Sequence, residues 1–383
     1  MPDEPLRIAV LGAGTVGREV VRGVLGAQGE LVDWGPGLEL VGIAVRDLDR
    51  ARTWGLAAAA GITESLLTDA PAHLVAAPDT DVIVELMGGD EPAHTLIAAA
   101  LGAGKSVVTA NKHVIAHYGA ELESIARQTG AALRFEAAVG GGIPVLGPLA
   151  NDLAANRFVE VRGIVNGTTN FILTAMHEVE QGYAEALADA QEAGYAEADP
   201  TADVEGIDAA NKLVILARLA FGAWLDPETI ERAAPRHDTE AAAPGITGIS
   251  ADDVSAAAAA GLVIKLVAHA THHTTGSAEE VGIAAAVMPT AVRTVSSLGR
   301  VSGTDNRIEL RGNPIGRVAF EGPGAGGPAT SSAVLADLLA LAHGSGSTWG
   351  ALKPASGLQA ALPVSFDGVA EAYPSGARYP EVP

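Results

Sequence analysis

Cysteine is absent from the 383-residue sequence. A chain without thiols cannot form disulfides, present a thiolate nucleophile or bind a metal through thiolates, so several classes of enzyme are excluded. Clustered lysines and arginines are also missing, and the formal net charge is −22. Because nucleic acids are bound through clustered basic side chains, no nucleic-acid partner is expected.

Long apolar runs and a basic N-terminal segment are missing as well. The longest apolar run, residues 256–270, contains Gly261 and Lys265 and is shorter than the roughly 20 residues that cross a bilayer. The first residues, MPDEPLRIAV, lack the basic start of a signal peptide. We therefore expect no membrane partner and a cytoplasmic location. With 48% hydrophobic residues, the chain can form two or three domains with buried cores.

A glycine-rich turn follows the first predicted strand, residues 7–11, and leads into a helix. The first glycine permits a tight turn, the second lets the backbone approach a pyrophosphate, and the third allows the helix to pack on the strand. The pattern predicts a dinucleotide-binding turn, with a plain glycine turn as the alternative. The turn and helix start comprise Gly12, Gly14, Thr15, Val16 and Gly17.

The residue after the second predicted strand, 39–45, indicates which cofactor is preferred. An acid there would bind a ribose 2′-hydroxyl, but this chain has Arg46, with two more arginines close behind. Arginines suit a 2′-phosphate, so NADP is favoured over NAD. Two aspartates interrupt the cluster, and surface arginines without a ligand are the alternative.

Three further strands are predicted at 81–86, 106–109 and 132–135, with helices between them at 92–103 and 120–129. Ligands of open parallel sheets lie beyond the carboxyl ends of the strands. We predict a doubly wound Rossmann domain of the α/β class over residues 1–138, completed by a helix at 325–343. The polar and glycine residues at these strand ends are Gly88, Gly89, Thr109, Asn111, Lys112 and Glu136.

A second domain of the α+β class, with its own sheet, is predicted over residues 139–324, and its first helices are predicted at 148–155 and 171–181. The turn Asn166-Gly167-Thr168 follows its first strand and either caps a helix or offers backbone N–H groups to a ligand. The glycine-rich stretch around Gly324 either binds a phosphate or acts as a hinge. Residues 344–383 show little periodicity and predict an irregular, peripheral tail.

Acidic residues and one lysine precede a long apolar run within residues 194–224. Asp208 and Lys212 are four residues apart and share one face of a helix, while Glu197 and Asp203 precede them in a predicted loop. A solvated loop and an ordinary ion pair are one interpretation. A catalytic lysine beside acids that bind the substrate is the other.

The motifs in their order resemble those of homoserine dehydrogenase over nearly all of residues 7–340. No single motif decides this, but their ordered occurrence does, and it favours the catalytic interpretation of residues 194–224. The matching stretches are VLGAGTVG, VVTANKHVIA, EAAVGGGIPV, GIVNGTTNFIL, DPTADVEGIDAANKLVILA, ITGISADDV and GPGAGGPATSSAVLADL.

The resemblance implies an NAD(P)-linked interconversion of L-aspartate 4-semialdehyde and L-homoserine in threonine, methionine and isoleucine biosynthesis. Hydride delivery to an aldehyde builds charge on its oxygen, so a proton donor is needed nearby. Lys212 is expected as the main donor, with Lys112 assisting. Another NAD(P)-dependent oxidoreductase with an aspartate-derived substrate is the nearest alternative, and a non-catalytic dinucleotide sensor is a second.

Further site residues are also implied by the resemblance. Glu197 and Asp208 contact the substrate, Asp203 supports the lysine, and the turn Asn166-Gly167-Thr168 lies at the substrate. A monovalent cation, sodium, is implied as well. Its ligands would be the Glu136 carboxylate and the backbone carbonyls of Val139, Gly141 and Ile143.

The sequence departs from many bacterial relatives after residue 343, where it is too short and irregular for a regulatory ACT domain. Feedback inhibition by threonine through such a domain is therefore not expected, nor is a fused aspartate kinase. The resemblance implies a homodimer, formed through the sheet of the second domain.

Overall fold

The computed structural model describes residues 4–30, 37–53, 64–234, 243–275, 280–355, 357–364 and 373–382. The chain divides into two compact units. The first comprises Met1–Asp152 and Ala325–Gly357, and the second comprises Leu153–Gly324 and Leu358–Pro383.

Strands and helices alternate in the first part of the chain, as the repeated strand-turn-helix pattern predicts. They are β1 (Leu6–Leu11), α1 (Thr15–Glu30), β2 (Leu38–Ala44), α2 (Leu48–Arg52), β3 (Leu67–Thr68), α3 (Pro71–Ala76), β4 (Val82–Glu85), α4 (Ala93–Gly102), β5 (Ser106–Thr109), α5 (Lys112–Thr129), β6 (Leu133–Arg134) and α6 (Leu146–Ala150).

The remaining elements begin with a strand, then form a group of helices, and then long strands. They are β7 (Arg157–Ile164), α7 (Gly167–Glu178), α8 (Tyr183–Glu192), α9 (Thr201–Val204), α10 (Ile207–Phe221), β8 (Trp224–Leu225), α11 (Ala251–Ala259), β9 (Leu262–Thr275), β10 (Glu280–Arg293), β11 (Asp305–Asn313), β12 (Gly316–Pro323), α12 (Gly327–Ala342), β13 (Leu358–Gln359) and β14 (Glu381–Val382). Among the described residues, no helix is long and apolar enough to span a membrane.

The first unit contains a six-stranded parallel sheet in the order β3-β2-β1-β4-β5-β6. This is the doubly wound order in which a dinucleotide binds where the strand order reverses, beside β1. Its core includes fully buried residues of β1 and α1, and α12 packs on the same cluster through Val334 and Leu338.

The second unit has its own six-stranded sheet in the order β12-β11-β7-β9-β10-β14. Its neighbouring strands are antiparallel, except that β14 pairs with β10 in parallel. α10 is buried along most of its length, so Asp208 and Lys212 are carried into the interior of this unit. The predicted fold class, a Rossmann domain followed by an α+β domain with a separate sheet, is confirmed.

Helix starts differ from the predicted ones where asparagine side chains cap the helix. α5 begins at Lys112, well before the predicted start at residue 120, because the Asn111 Oδ1 accepts a hydrogen bond from the Val114 N–H at 3.2 Å. α7 begins at Gly167 rather than Phe171, because the Asn166 Oδ1 accepts from the Thr169 N–H at 2.8 Å. An N-cap satisfies backbone donors that a helix leaves unpaired. The consequence is that Lys112 lies in the first turn of a helix.

The first unit extends to Asp152, past the predicted boundary at residue 138. Residues 145–147 fold back and donate backbone hydrogen bonds to the Glu136 carboxylate, which keeps this loop with the first unit. The predicted helix at 148–155 is shorter and earlier, at Leu146–Ala150, because the same carboxylate lies at its N-terminal end.

The predicted tail is packed onto both units, so the prediction that it is peripheral is wrong for two buried aromatic residues. Trp349 is 3% exposed, and the neighbouring Thr348 Oγ1 accepts from the Phe135 N–H at 3.0 Å. Tyr379 is 1% exposed and donates to the Asp253 Oδ2 at 2.9 Å. Residues 356 and 365–372 of the predicted tail lie outside the described residues.

Candidate active site

The glycine turn after β1 has two crowded glycines and one open one. Gly12 has a φ of +96°, and a Cβ atom there would lie 2.7 Å from the Leu86 carbonyl oxygen. A Cβ atom at Gly17 would lie 2.1 Å from the Gly12 carbonyl oxygen. At Gly14, by contrast, a Cβ atom would meet no heavy atom within 4 Å. No neighbouring atom therefore crowds the backbone at Gly14, so a pyrophosphate would have room there, at the N-terminus of α1. Thr15 and Val16 are the first residues of that helix.

The arginines after β2 differ in their surroundings. Arg46 is exposed directly beyond the carboxyl end of β2. Arg52 Nη1 donates to the Asp49 carboxylate at 2.7 Å, and Asp47 caps α2 by accepting from the Arg50 N–H. Asp47 and Asp49 therefore bond to the Arg50 backbone and to the Arg52 side chain, while the Arg46 side chain is exposed.

Glu85 is a buried acid that the sequence patterns do not single out. Its carboxylate accepts hydrogen bonds from residues at the ends of β4 and β5. The Glu85 side chain accepts from the Met87 N–H at 2.7 Å, the Gly88 N–H at 3.3 Å and the Thr109 Oγ1 at 2.6 Å. Burial raises the pKa of this carboxyl group, although these hydrogen bonds oppose the shift. The sequence indicates this role only by the position of the acid, at the end of the otherwise apolar strand VIVE.

The Glu85 cluster extends to the start of α5. The Asn111 N–H donates to the Thr109 Oγ1 at 2.9 Å, and the Asn111 Nδ2 donates to the Gly89 carbonyl at 2.8 Å. Gly88 and Gly89 have φ values of +71° and +76°, which favour glycine. These bonds join the glycine loop to the helix that begins with the half-buried Lys112.

Glu136 accepts three backbone hydrogen bonds at the start of α6. Its Oε1 accepts from the Val145 and Leu146 N–H groups at 2.8 Å each, and its Oε2 accepts from Gly147 at 2.6 Å. Burial and the nearby charge of Asp337 raise the pKa of the carboxyl group. Across the described part of the chain, no cluster of three or more His, Asp or Glu side chains is suited to a metal ion.

The loop between Glu136 and α6 contains the other residues predicted to bind a cation. Gly140 and Gly141 have φ values of +72° and +57°, and the Ile143 N–H donates to the Gly140 carbonyl at 2.9 Å. Val139 and Ile143 are buried. The tight turn places the backbone groups of Val139, Gly141 and Ile143 within one short loop that starts at Glu136.

In the second unit, Lys212 is a buried cation with an acidic partner. Its Nζ lies 2.8 Å from the Asp208 Oδ2 and donates to the Val165 carbonyl at 2.6 Å. Lys212 and Asp208 are each 7% exposed. The predicted helical spacing is confirmed, and the carbonyl at the end of β7 is a partner that spacing alone does not reveal.

Asn166 brings the second acid to this pair. Its Nδ2 donates to the Asp203 Oδ1 at 2.7 Å and to the Asp208 Oδ2 at 2.9 Å. Burial, followed by the charge of Asp208, raises the pKa of Asp203, while the hydrogen bond from Asn166 opposes that rise. The structure thus gathers the buried Asn166, Asp208 and Lys212 and the partly buried Asp203 into one cluster.

The remaining residues predicted for this site lie at its edge or have packing roles. Thr168 Oγ1 donates to the Tyr195 carbonyl at 2.7 Å, and a Cβ atom at Gly167 would lie 2.7 Å from the Thr304 carbonyl oxygen. Glu197 has an exposed side chain, and its backbone carbonyl accepts from Gln191. Gly324, which lies in the stretch predicted to bind a phosphate or act as a hinge, packs against the Asn306 side chain, and a Cβ atom at Gly324 would lie 2.1 Å from it.

Comparisons with known proteins agree with these features. Residues 12–136 match the family model described as "Homoserine dehydrogenase, NAD binding domain", and residues 144–339 match the model described as "Homoserine dehydrogenase". A homoserine dehydrogenase of Corynebacterium glutamicum is 42% identical over 369 residues, which cover 96% of this chain and 78% of the relative. One of Mycobacterium tuberculosis is 41% identical over 370 residues, covering 96% and 79%.

Solved structures give the same result. The homoserine dehydrogenase of Thiobacillus denitrificans has a TM-score of 0.82 and 36% identity, with 94% of this chain and 80% of that chain covered. A hyperthermophilic archaeal homoserine dehydrogenase in complex with NADPH has a TM-score of 0.68 and 28% identity, with 88% and 97% covered.

The Rossmann sheet and its open glycine turn define a dinucleotide-binding fold, and the two domain matches make the chain an NAD(P)-dependent oxidoreductase of amino-acid biosynthesis. Both domain matches and the near-complete coverage at about 40% identity specify it further. The chain belongs to the homoserine dehydrogenase family, and its function is that of a homoserine dehydrogenase. The resemblance stated from the motifs is confirmed.

Proposed function

We propose that Lys212 is the main proton donor in the interconversion of L-aspartate 4-semialdehyde and L-homoserine. The observation that carries this proposal is a buried ammonium group held between the Asp208 carboxylate and the Val165 carbonyl. The nicotinamide, when bound, supplies or accepts the hydride. As charge develops on the substrate oxygen, Lys212 gives it a proton, and in the reverse direction it takes that proton back.

Further residues of the second unit would bind the substrate. Asp208 and Glu197 would hold its amino group, Asp203 would support the lysine, and the Asn166-Gly167-Thr168 turn would present backbone N–H groups. Lys112 would assist Lys212. Acids suit an ammonium group, and a helix N-terminus suits a carboxylate, so both ends of an amino-acid substrate have partners of the right chemistry.

Reduction of L-aspartate 4-semialdehyde with NADPH tests this function directly. Succinic semialdehyde, which lacks the amino group, is the matched substrate. We expect its kcat/KM to be at least about 100-fold lower, because the proposed contacts of Asp208 and Glu197 with the amino group are lost. Equal turnover of both aldehydes would contradict the proposed recognition of the amino group and would favour another oxidoreductase.

Cofactor binding is proposed for the glycine turn of the first unit and the loops after β4 and β5. The NADPH complex of the archaeal relative supports a dinucleotide there, and the exposed Arg46 supports a preference for the 2′-phosphate. Gly324 is included from the sequence resemblance. The proposed residues are Gly12, Gly14, Thr15, Val16, Gly17, Arg46, Gly88, Gly89, Thr109, Asn111, Lys112 and Gly324.

Arg46→Ala tests the preference for NADP. We expect the KM for NADPH to rise about tenfold, because one charge-assisted contact to the 2′-phosphate is lost, while the KM for NADH stays the same. Initial rates with each cofactor measure this. Arg52→Ala is the matched control, since Arg52 is paired with Asp49, and it should change neither constant. An unchanged preference in the Arg46 variant would refute its role.

A sodium ion is proposed in the loop after Glu136, bound by that carboxylate and by the carbonyls of Val139, Gly141 and Ile143. Oxygen donors from a tight glycine turn suit a hard cation, and the ion would stabilise the loop rather than take part in the reaction. We expect Tm to be higher in sodium chloride than in choline chloride at equal ionic strength. Equal melting temperatures in the two salts would argue against a bound sodium ion.

A homodimer, formed through the sheet of the second unit, is proposed from the family resemblance. Sedimentation velocity would give twice the chain mass of 38.6 kDa, and a monomer would contradict it.

Roles in threonine, methionine and isoleucine biosynthesis and a cytoplasmic location likewise stay predictions. A deletion strain that grows without these three amino acids would exclude the biosynthetic role.

A further inference from the structure

The side-chain amide of Asn166 is completely hydrogen-bonded. Its Oδ1 accepts from the Thr169 N–H at 2.8 Å and from the Thr169 Oγ1 at 2.9 Å. Its Nδ2 donates to Asp203 at 2.7 Å and to Asp208 at 2.9 Å. An asparagine amide has two donor hydrogens and two acceptor lone pairs, so each has a partner, although the Thr169 hydroxyl also lies 3.2 Å from the Asn166 backbone carbonyl.

The orientation of this amide is fixed by its neighbours. A backbone N–H can only donate, so the amide oxygen must face Thr169. Ionised carboxylates can only accept, so the amide nitrogen must face Asp203 and Asp208. Asn166 is also 4% exposed. A substrate could bind this side chain only after one of the four bonds is broken.

The amide lies between the buried Asp208 and the partly buried Asp203, two acids that repel each other. Each acid receives one N–H donor from Asn166, and Asp208 also contacts Lys212 at 2.8 Å. Without these donors, the two carboxylates would keep their desolvation and their mutual repulsion but lose compensating bonds. The carboxylate that holds Lys212 would then be free to adopt other positions.

We propose that Asn166 is a positioning residue for proton transfer: its amide holds Asp208 in the place that orients the Lys212 ammonium, and its side chain does not bind the substrate. This inference rests on the proposed role of Lys212. It differs from the family-derived expectation that Asn166 contacts the substrate. The N-cap of α7 and the alignment of the lysine thus depend on one side chain.

Two variants separate these functions of Asn166. Asn166→Asp keeps the size and a strong N-cap, but it turns two N–H donors into acceptors that face two acids. Asn166→Ser also keeps an N-cap oxygen but removes the donors. We expect kcat to fall about 100-fold in both variants, as for a misplaced catalytic group, while the substrate KM changes less than about threefold.

The pH dependence of kcat/KM distinguishes a positioning role of Asn166 from loss of structure, because loss of structure would not shift its alkaline limb to higher pH. The added carboxylate of Asn166→Asp favours the protonated form of the neighbouring lysine, so the alkaline limb of kcat/KM should move to higher pH, and Asn166→Ser should not move it in that direction. Thr169→Val is the control. It leaves the donors to both acids in place and should retain kcat within about threefold.

Melting curves and NADPH titration establish that each variant is folded. A rise in substrate KM with kcat unchanged would overturn the inference, because it would show that Asn166 binds the substrate. Wild-type kinetics in both Asn166 variants would overturn it as well. Failure of the proposed function looks different: Lys212→Ala would then retain activity, whatever the Asn166 variants do.

Discussion

Lys212→Ala is expected to lower kcat for aspartate semialdehyde reduction by about 1,000-fold, with a smaller change in KM. A positioned general acid contributes about 100-fold to 10,000-fold to rate, and the small side chain leaves no donor at the substrate oxygen. Steady-state kinetics with saturating NADPH measure the effect. Lys112→Ala should lose less, because Lys112 is proposed only to assist. The reverse order would make Lys112 the principal donor.

Loss of a buried cation also affects folding, so Lys212→Ala needs a control of the same kind. Removing Lys212 takes the buried cation away from Asp208 and the donor away from the Val165 carbonyl, which costs about 3 kcal/mol of folding free energy. Lys265 is a second buried lysine of the same unit, and it donates to Asn170 and to the Val301 carbonyl instead. Lys265→Met should lower Tm by a similar amount yet keep kcat within about fivefold. If Lys265→Met lowered kcat as much as Lys212→Ala does, the effect of Lys212→Ala would be due to lost folding stability rather than to a lost proton donor.

Valine substitutions at Gly14 and Gly17 are expected to have different effects, although both glycines lie in one turn. The change at Gly17 should lower stability, and the change at Gly14 should lower NADPH affinity. At Gly17 the new Cβ would lie 2.1 Å from the Gly12 carbonyl oxygen, so the turn must open, and stability should fall by about 3 kcal/mol. At Gly14 nothing lies within 4 Å of the new Cβ, so Tm should stay close to wild type. The side chain would instead occupy the space of the pyrophosphate, and NADPH affinity should fall about 100-fold.

Thermal melts and NADPH fluorescence titration measure both variants. Gly26→Val serves as the control, because a Cβ atom at Gly26 in α1 also meets nothing within 4 Å and lies outside the turn. It should bind NADPH normally. If Gly14→Val bound NADPH with wild-type affinity, the cofactor phosphates could not lie over Gly14, and the proposed cofactor site would be wrong.

Some features of the site follow from local sequence. The strand-glycine-helix order around Gly12 and Gly17 predicts the turn, because close approach of the backbone at these positions excludes any side chain. The spacing of Asp208 and Lys212 predicts their contact, since residues four apart are neighbours on a helix. Short apolar runs likewise predict the strand ends near Lys112 and Glu136. Ordered motifs add the family itself.

Helix starts and buried carboxylates required more than local patterns. Asn111 and Asn166 each start a helix earlier than periodicity indicates, because a side-chain cap depends on the conformation of the chain before it. Glu85 looks like an ordinary acid in the sequence, and no local pattern shows that Glu136 accepts backbone hydrogen bonds. In the fold they accept backbone hydrogen bonds that keep loops in place, and a pattern of apolar residues does not record that use.

The sequence by itself determined the two-domain class, the glycine turn, the pairing of Asp208 with Lys212, and the family, because each depends on residues close together in the chain or on motifs in order. Only the tertiary structure decided that Asn166 joins Asp203 and Asp208 and that the Val165 carbonyl accepts from Lys212. These partners are 37 to 47 residues apart. Packing of β7 against α10 and of α7 against α9 brings them together, and no local periodicity specifies contacts at that separation.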